Sequence, residues 1–216
     1  MEQDELRNDA ELWSGTELRN GMELRSGADS IGDPLHEKLD SLRRLIQDTD
    51  FLEGRGLSNE VNIRIFCYDP AKEMTVQHFV EQLQADSSLT CRLLERNLYQ
   101  VFLSVCDDFD ITEAIPDMEE TDGGAYLLEQ LLSTIGTNEL IEKMQYSPHE
   151  RGDVLLLTGV GDVFPFMRVH ILLEALQPHF HDIPILVLYP GSFNGSQLKL
   201  FNRLPPSNYY RAFNVI

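Results

Sequence analysis

Basic residues are the scarcest class in this chain relative to what balances them: 17 Lys and Arg stand against 36 Asp and Glu in 216 residues, a formal charge of −19. Phosphate-rich partners are repelled by such a surface, so direct nucleic-acid binding is not expected. The deficit is local. Residues 151–216 hold five bases (Arg151, Arg168, Lys199, Arg203, Arg211) and four acids (Asp153, Asp162, Glu174, Asp182), so nearly all the excess acid precedes them, where a basic protein partner fits best. Apolar runs are short as well. None approaches the roughly 18 residues of a membrane span, and the acidic start Met1-Glu-Gln-Asp-Glu5 lacks the basic and apolar regions of a secretion signal, which predicts a cytoplasmic protein. Cysteines number three, at 67, 91 and 106, with no C-x-x-C pair or zinc-like spacing. They read as buried reduced thiols, not a disulfide framework or a metal site.

Catalytic motifs are also wanting. No G-x-x-x-x-G-K-[ST] supplies the loop and lysine of a P-loop enzyme, no serine stands in G-x-S-x-G, and no cysteine is followed by a recognisable His and Asn pattern. His179 and His181 lack a third ligand nearby in sequence, so no metal and no cofactor is expected.

What the chain does have is strand and helix periodicity. Val154 to Thr158 is a short apolar run of the kind buried on both faces of a sheet, and Thr158-Gly-Val-Gly161 follows at once. Ligands of open α/β sheets gather at the carboxyl ends of strands. Gly159 and Gly161 are therefore either a structural turn or an anion- or partner-accepting edge; the third glycine of a dinucleotide fingerprint is missing. A helix over 166–176, stopped by Pro178, leads to a second apolar strand, Ile183 to Tyr189, ended by Pro190-Gly191 and followed by a short helix over 196–201. Two buried strands joined by a helix predict a parallel βαβ unit. Tyr210 to Ile216 alternates as a last strand, on the edge or antiparallel to its neighbour.

Upstream, Asp33-Pro34 opens a helix with Leu35, Leu39, Leu42, Leu45 and Ile46 on one side, ending near Asp50. A loop over 51–60 carries Arg55 between two glycines, either an anchor or an exposed contact. Ile63 to Tyr68 is a strand, Met74 to Leu83 a helix, Leu89 to Leu98 a second strand, and Leu98 to Cys106 a short helix. Asp107 to Asp122 holds eight acids and no base, which reads as solvated surface. Ala125 to Met144 divides into two helices at Gly136, with Thr137 or Asn138 as the second cap. Before all this, residues 4–27 repeat a six-residue unit, as in Thr16-Glu-Leu-Arg-Asn-Gly21 and Met22-Glu-Leu-Arg-Ser-Gly27. A period of six fits neither helix nor strand. Residues 1–32 are expected to be a mobile extension or an interaction tail, and 33–216 a single α/β domain: a mostly parallel central sheet flanked by helices, a Rossmann-like or P-loop-like three-layer sandwich without the P-loop.

Taken jointly, Asp50-Phe-Leu-Glu-Gly-Arg-Gly-Leu-Ser-Asn-Glu60, the strand ending Tyr68-Asp-Pro70, Leu156-Leu-Thr-Gly-Val-Gly-Asp-Val-Phe-Pro-Phe-Met-Arg168, Tyr189-Pro-Gly-Ser-Phe-Asn-Gly-Ser-Gln-Leu-Lys-Leu-Phe-Asn-Arg203 and Asn208-Tyr-Tyr-Arg-Ala-Phe213 resemble the BrxB family of bacteriophage exclusion (BREX) systems. The resemblance spans about residues 33–216; the hexamer repeat departs from it. It implies a small non-enzymatic component of a phage-defence complex, with the other BREX proteins as partners and the phosphatase-like PglZ first among them. It transfers no catalytic residues. The candidate partner or anion contacts are Arg55, Thr158, Gly159, Gly161, Arg168, Gly191, Asn194 and Arg203. A degenerate nucleotide- or phosphate-binding domain, with Gly159, Gly161, Gly191 and Asn194 around one crevice and Arg168 or Arg203 supplying charge, is the alternative.

Overall fold

In chain order the elements are α1 (Pro34–Leu45), α2 (Thr49–Leu52), β1 (Ile63–Tyr68), α3 (Glu73–Ala85), β2 (Arg92–Asn97), α4 (Leu98–Asp108), α5 (Ile115–Asp122), α6 (Gly124–Thr134), α7 (Thr137–Met144), β3 (Asp153–Thr158), α8 (Val169–Leu176), β4 (Ile185–Phe193), β5 (Leu198–Leu200) and β6 (Asn214–Val215). They come from a computed structural model that describes residues 34–54, 62–194, 197–204 and 214–216. The hexamer repeat and Arg55 lie outside the described residues.

Five strands lie side by side in the order β2–β3–β4–β1–β6, every neighbouring pair parallel, while β5 turns back antiparallel on the end of β4. Alternation along the strands sends side chains to two separate cores. Phe66, Tyr68, Val154, Leu156, Leu186 and Leu188 meet α1 and α3 through Leu35, Leu39, Leu42, Val76, Phe79, Val80 and Leu83. Ile63, Ile65, Leu155, Leu157, Ile185 and Val187 meet the layer of α4 to α8 through residues such as Phe102, Leu131, Ile141, Leu172 and Leu176. The result is the three-layer α/β sandwich with a mostly parallel sheet. All six residues of β3 are buried, as a strand with helices on both faces requires.

Local chemistry sets the helix ends. α1 carries Glu37 in its first turn and Arg43 and Arg44 in its last, matching the helix dipole. Arg43 reaches across to Asp86, just past α3, and ties the two helices of that layer together. Asn97 caps α4 by accepting from the Tyr99 and Gln100 amides, both at 3.1 Å. The break at Gly136 falls where expected, but Gly136 itself is the residue ahead of the first turn, its amide donating to the Glu139 carboxylate at 3.0 Å.

Three expectations need correction. α1 stops at Leu45, and Thr49–Leu52 forms a short helix of its own because Asp48 accepts from the Asp50 and Phe51 amides. α8 begins at Val169 instead of residue 166, since turns occupy the residues before it. Pro190-Gly191 does not end β4, which runs on to Phe193; in place of a helix over 196–201 the chain forms a hairpin in which Gly191 faces Leu200 and Phe193 faces Leu198. The last strand lies on the edge, the first of the two arrangements expected for it, and runs parallel to β1; residues 210–213 lie outside the described ones.

Cys106 is buried and Cys67 and Cys91 are half-buried, all three free. Burial, opposed weakly by Lys38, pushes the Cys67 thiol up to about 12. Among the described residues no helix is long and apolar enough to cross a membrane.

Candidate functional site: an acidic cleft at the carboxyl end of the sheet

β3 is fixed at both ends. At its amino end Asp153, 1% exposed, accepts from Arg92 Nε and Nη2 (both 2.7 Å), Tyr146 Oη (2.8 Å) and the Glu150 amide (2.9 Å). This clamp holds β2, β3 and the loop between α7 and β3 in one register. Its donors lie three, seven and 61 residues from Asp153, so no local motif announces it.

At the carboxyl end, the Thr158 hydroxyl donates to Glu95 Oε1 on β2 at 2.7 Å, and the Gln84 side chain on α3 donates to the other oxygen of the same carboxylate. Tyr68, the last residue of β1, donates to Glu73 Oε2 at 2.6 Å, while Gln77 holds Glu73 Oε1 at 3.2 Å. Between these pairs lies a cleft of about 220 Å³, with Val76, Val80 and Leu188 as its apolar wall and Glu73, Glu81 and Glu95 as its charge; none of its lining residues is basic. Burial, the hydrogen bond to Glu73 and the neighbouring carboxylates together push the Tyr68 phenol upward, so it stays a neutral donor. Each of Glu73 and Glu95 is thus aimed by one hydroxyl and one amide and left with its negative charge uncancelled.

The glycines of the neighbouring turn face the protein itself. Gly159 adopts φ +69°, and a Cβ there would lie 2.6 Å from Asn97 Oδ1. The turn and the cap of α4 therefore interlock, and left-handed backbone in contact with a side chain calls for glycine. A Cβ on Gly161 would meet the Phe201 ring at 2.8 Å, and one on Gly191 the Lys199 carbonyl oxygen at 2.2 Å. What looks in sequence like a phosphate cradle is filled from within.

Of the candidate contacts, Thr158 and Gly159 line the cleft. Gly161 and Gly191 sit under the hairpin. Asn194 shapes its tip, accepting from the Gln197 amide at 2.9 Å, and Arg203 is exposed in the turn after β5. Arg168 immediately precedes α8 and does not line the cleft. Tyr68, Glu73, Glu95 and Asn97 are the site residues that sequence reasoning missed; an acid two residues before the end of an edge strand was the one available signal. His179 meets Gln145 at 2.9 Å and Asp182 meets His149 at 2.6 Å. Among the described residues no group of three or more His, Cys, Asp or Glu side chains is placed to hold a metal ion.

A family model described as "BREX protein BrxB" matches residues 94–215, from β2 through the end of the sheet. A protein of that name from Bacillus cereus (strain H3081.97) is 36% identical over 189 residues, covering 84% of this chain and 97% of the relative. The chain belongs to the BrxB family. A second BrxB, from Escherichia coli O9:H4 (strain HS), is 27% identical over 193 residues, 85% of this chain and 93% of its own. No solved structure matches significantly. As a BrxB family member the chain is a component of a BREX system, and its role lies in phage defence.

Thr158→Val tests the cleft. Valine keeps the shape of a residue 9% exposed and removes only the hydroxyl that aims Glu95. The expected loss is about 1 kcal/mol of unfolding free energy by urea denaturation, the net value of one such bond.

Proposed function

We propose that this BrxB family member is a non-enzymatic adaptor of the BREX complex. It works in the cytoplasm, with residues 33–216 as the working unit, and docks the PglZ-like protein first through the cleft at the carboxyl end of the sheet. The observation that carries this reading is the pairing of a glycine turn filled by Asn97, Phe201 and the Lys199 carbonyl with an adjacent cleft whose charge is carboxylate. A phosphate entering there meets Glu73, Glu81 and Glu95; an arginine or lysine side chain meets two carboxylates aimed toward it, with Val76, Val80 and Leu188 to cover its stem. Fold supplies only the location, and the chemistry of the lining favours a basic protein side chain over a nucleotide.

Tagged protein expressed with its BREX system should recover the other BREX proteins, the PglZ-like protein foremost. Glu73→Gln combined with Glu95→Gln should lower that recovery about tenfold, the effect of losing two partly desolvated charge contacts. ATP, GTP and magnesium should leave the melting temperature of the purified chain unchanged. A clear nucleotide-induced rise in melting temperature with no partner recovered overturns the adaptor reading in favour of a phosphate-binding one.

A further inference from the structure

The end of the sheet that carries the cleft is also the end at which the first 33 residues join the domain. α3 leaves the carboxyl end of β1, where Tyr68 meets Glu73, and finishes beside Asp86 at the amino end of the sheet, ahead of β2. Arg43, in the last turn of α1, pairs with Asp86, so α1 finishes at the amino end too. Lys38, one turn into α1, is near enough to Cys67, the next-to-last residue of β1, for its charge to bear on the thiol. α1 therefore starts at the carboxyl end and runs alongside α3 in the same direction. The chain before Pro34 enters on the layer and at the end where the cleft lies.

The cleft has an acidic lining without a base. Glu73, Glu81 and Glu95 stand in a space of about 220 Å³ beside the apolar wall of Val76, Val80 and Leu188. Every donor that reaches Glu73 and Glu95 from within the domain is neutral, a hydroxyl and an amide for each, so their charge is left for a cation.

The first residues of the chain carry the complementary chemistry three times over. Arg7, Arg19 and Arg25 each follow a leucine, in Glu5-Leu-Arg7, Glu17-Leu-Arg19 and Glu23-Leu-Arg25. A guanidinium with an apolar neighbour suits carboxylates beside an apolar wall. Arg25 lies eight residues before Asp33 and Arg19 fourteen, which extended chain turns into reaches of up to about 27 and 46 Å. Packed helices of one layer stand only about 10 Å apart, so both arginines have chain to spare. Tethering supplies a local concentration in the millimolar range, while the glutamate two residues before each arginine keeps the contact weak. Such a contact is readily displaced.

We propose that the segment Thr16–Gly27 places Arg19 or Arg25 in the cleft and there competes with the basic side chain of the docking partner. This rests on the adaptor reading and adds its regulation: a partner docks by displacing the chain's own arginine.

The test keeps the full chain. Arg19→Lys with Arg25→Lys preserves the charge and supplies primary amines, which carbodiimide joins to carboxylates in contact. Mass spectrometry should find cross-links from these two positions to Glu73, Glu81 or Glu95, and an equal mixture of isotopically heavy and light chains should give them within one isotope only. Absence of these cross-links overturns the proposal, and mixed-isotope cross-links overturn it in favour of a segment reaching into a second copy. In the tagged chain expressed with its BREX system, Arg19→Ala with Arg25→Ala should raise recovery of the docking partner about threefold, the factor lost when an occupant fills a site about two thirds of the time. An unaltered circular dichroism melt of each variant verifies folding. Unchanged or lower recovery by the alanine variant overturns the proposal, and the adaptor reading still stands if Glu73→Gln with Glu95→Gln lowers recovery. Failure of the original chain and the alanine variant alike to recover any BREX protein overturns the adaptor reading and this regulation with it.

Discussion

Asp153→Ala is expected to lower the unfolding free energy by about 3 kcal/mol, read as a fall in the urea midpoint. The carboxylate is 1% exposed at the start of the central strand and receives four hydrogen bonds, two from Arg92 and one each from Tyr146 and the Glu150 amide. Truncation leaves the amide and the phenol without their acceptor and opens a cavity beside them. Arg92 is half-exposed and also lies 3.7 Å from Glu150, so its charge finds other solvation. For that reason the loss stays below what a fully buried ion pair would give.

The same clamp makes a pH prediction. Burial alone would raise the Asp153 carboxyl; hydrogen bonds from Arg92, the Glu150 amide and Tyr146 outweigh it and hold the group at about 2, below its ordinary 3.8. The folded state therefore binds this proton more weakly than the unfolded state. Its contribution is complete above about pH 4 and is lost as the pH falls through about 2, amounting to about 2 kcal/mol. The stability difference between the original chain and Asp153→Asn should accordingly narrow by about 1.5 kcal/mol between pH 6 and pH 2.5, the rest being lost below that. A difference constant across that range would show that the carboxylate's charge is not what the clamp uses.

The sequence made the layers legible because their signal is local. Leu35, Leu39 and Leu42 recur at helical spacing, and Val154 to Leu157 form an unbroken apolar run, so each element could be recognised without its neighbours. The acidic segment was legible for the same reason, as eight carboxylates without a base have nowhere to go but the surface. Thr158 and Gly159 were found because a polar residue and a glycine closed a buried strand. Their partners were hidden by topology: Glu95 comes from β2, Glu73 from α3 and Tyr68 from β1, and only the strand order brings them to one cleft. The hairpin was misread because proline and glycine are strand breakers in one dimension. Here the Pro190 carbonyl accepts the Phe201 amide at 2.8 Å, and Gly191 admits a returning strand that few other residues would tolerate.

Gly191→Ala tests that close approach, and it is expected to cost about 3 kcal/mol. The added Cβ would lie 2.2 Å from the Lys199 carbonyl oxygen and 2.8 Å from the Tyr189 ring. A ring can turn, but a backbone carbonyl within the hairpin cannot withdraw unless β5 moves away from β4. β5 has only three residues, Leu198–Leu200, so separation of this strand is the least costly escape. Lifting it breaks the bond from Phe201 to the Pro190 carbonyl and withdraws the Phe201 ring from its place against Gly161. Hydrogen exchange of the Phe201 amide should therefore accelerate far more than exchange in β3. Gly161→Ala meets that ring at 2.8 Å and Pro190 Cγ at 3.2 Å, side-chain atoms and no backbone, and should cost less because the ring can shift. Equal protection of the hairpin in Gly191→Ala and the original chain would show that β4 and β5 do not pair at this register, and the filling of Gly161 by Phe201 would have to be abandoned with it.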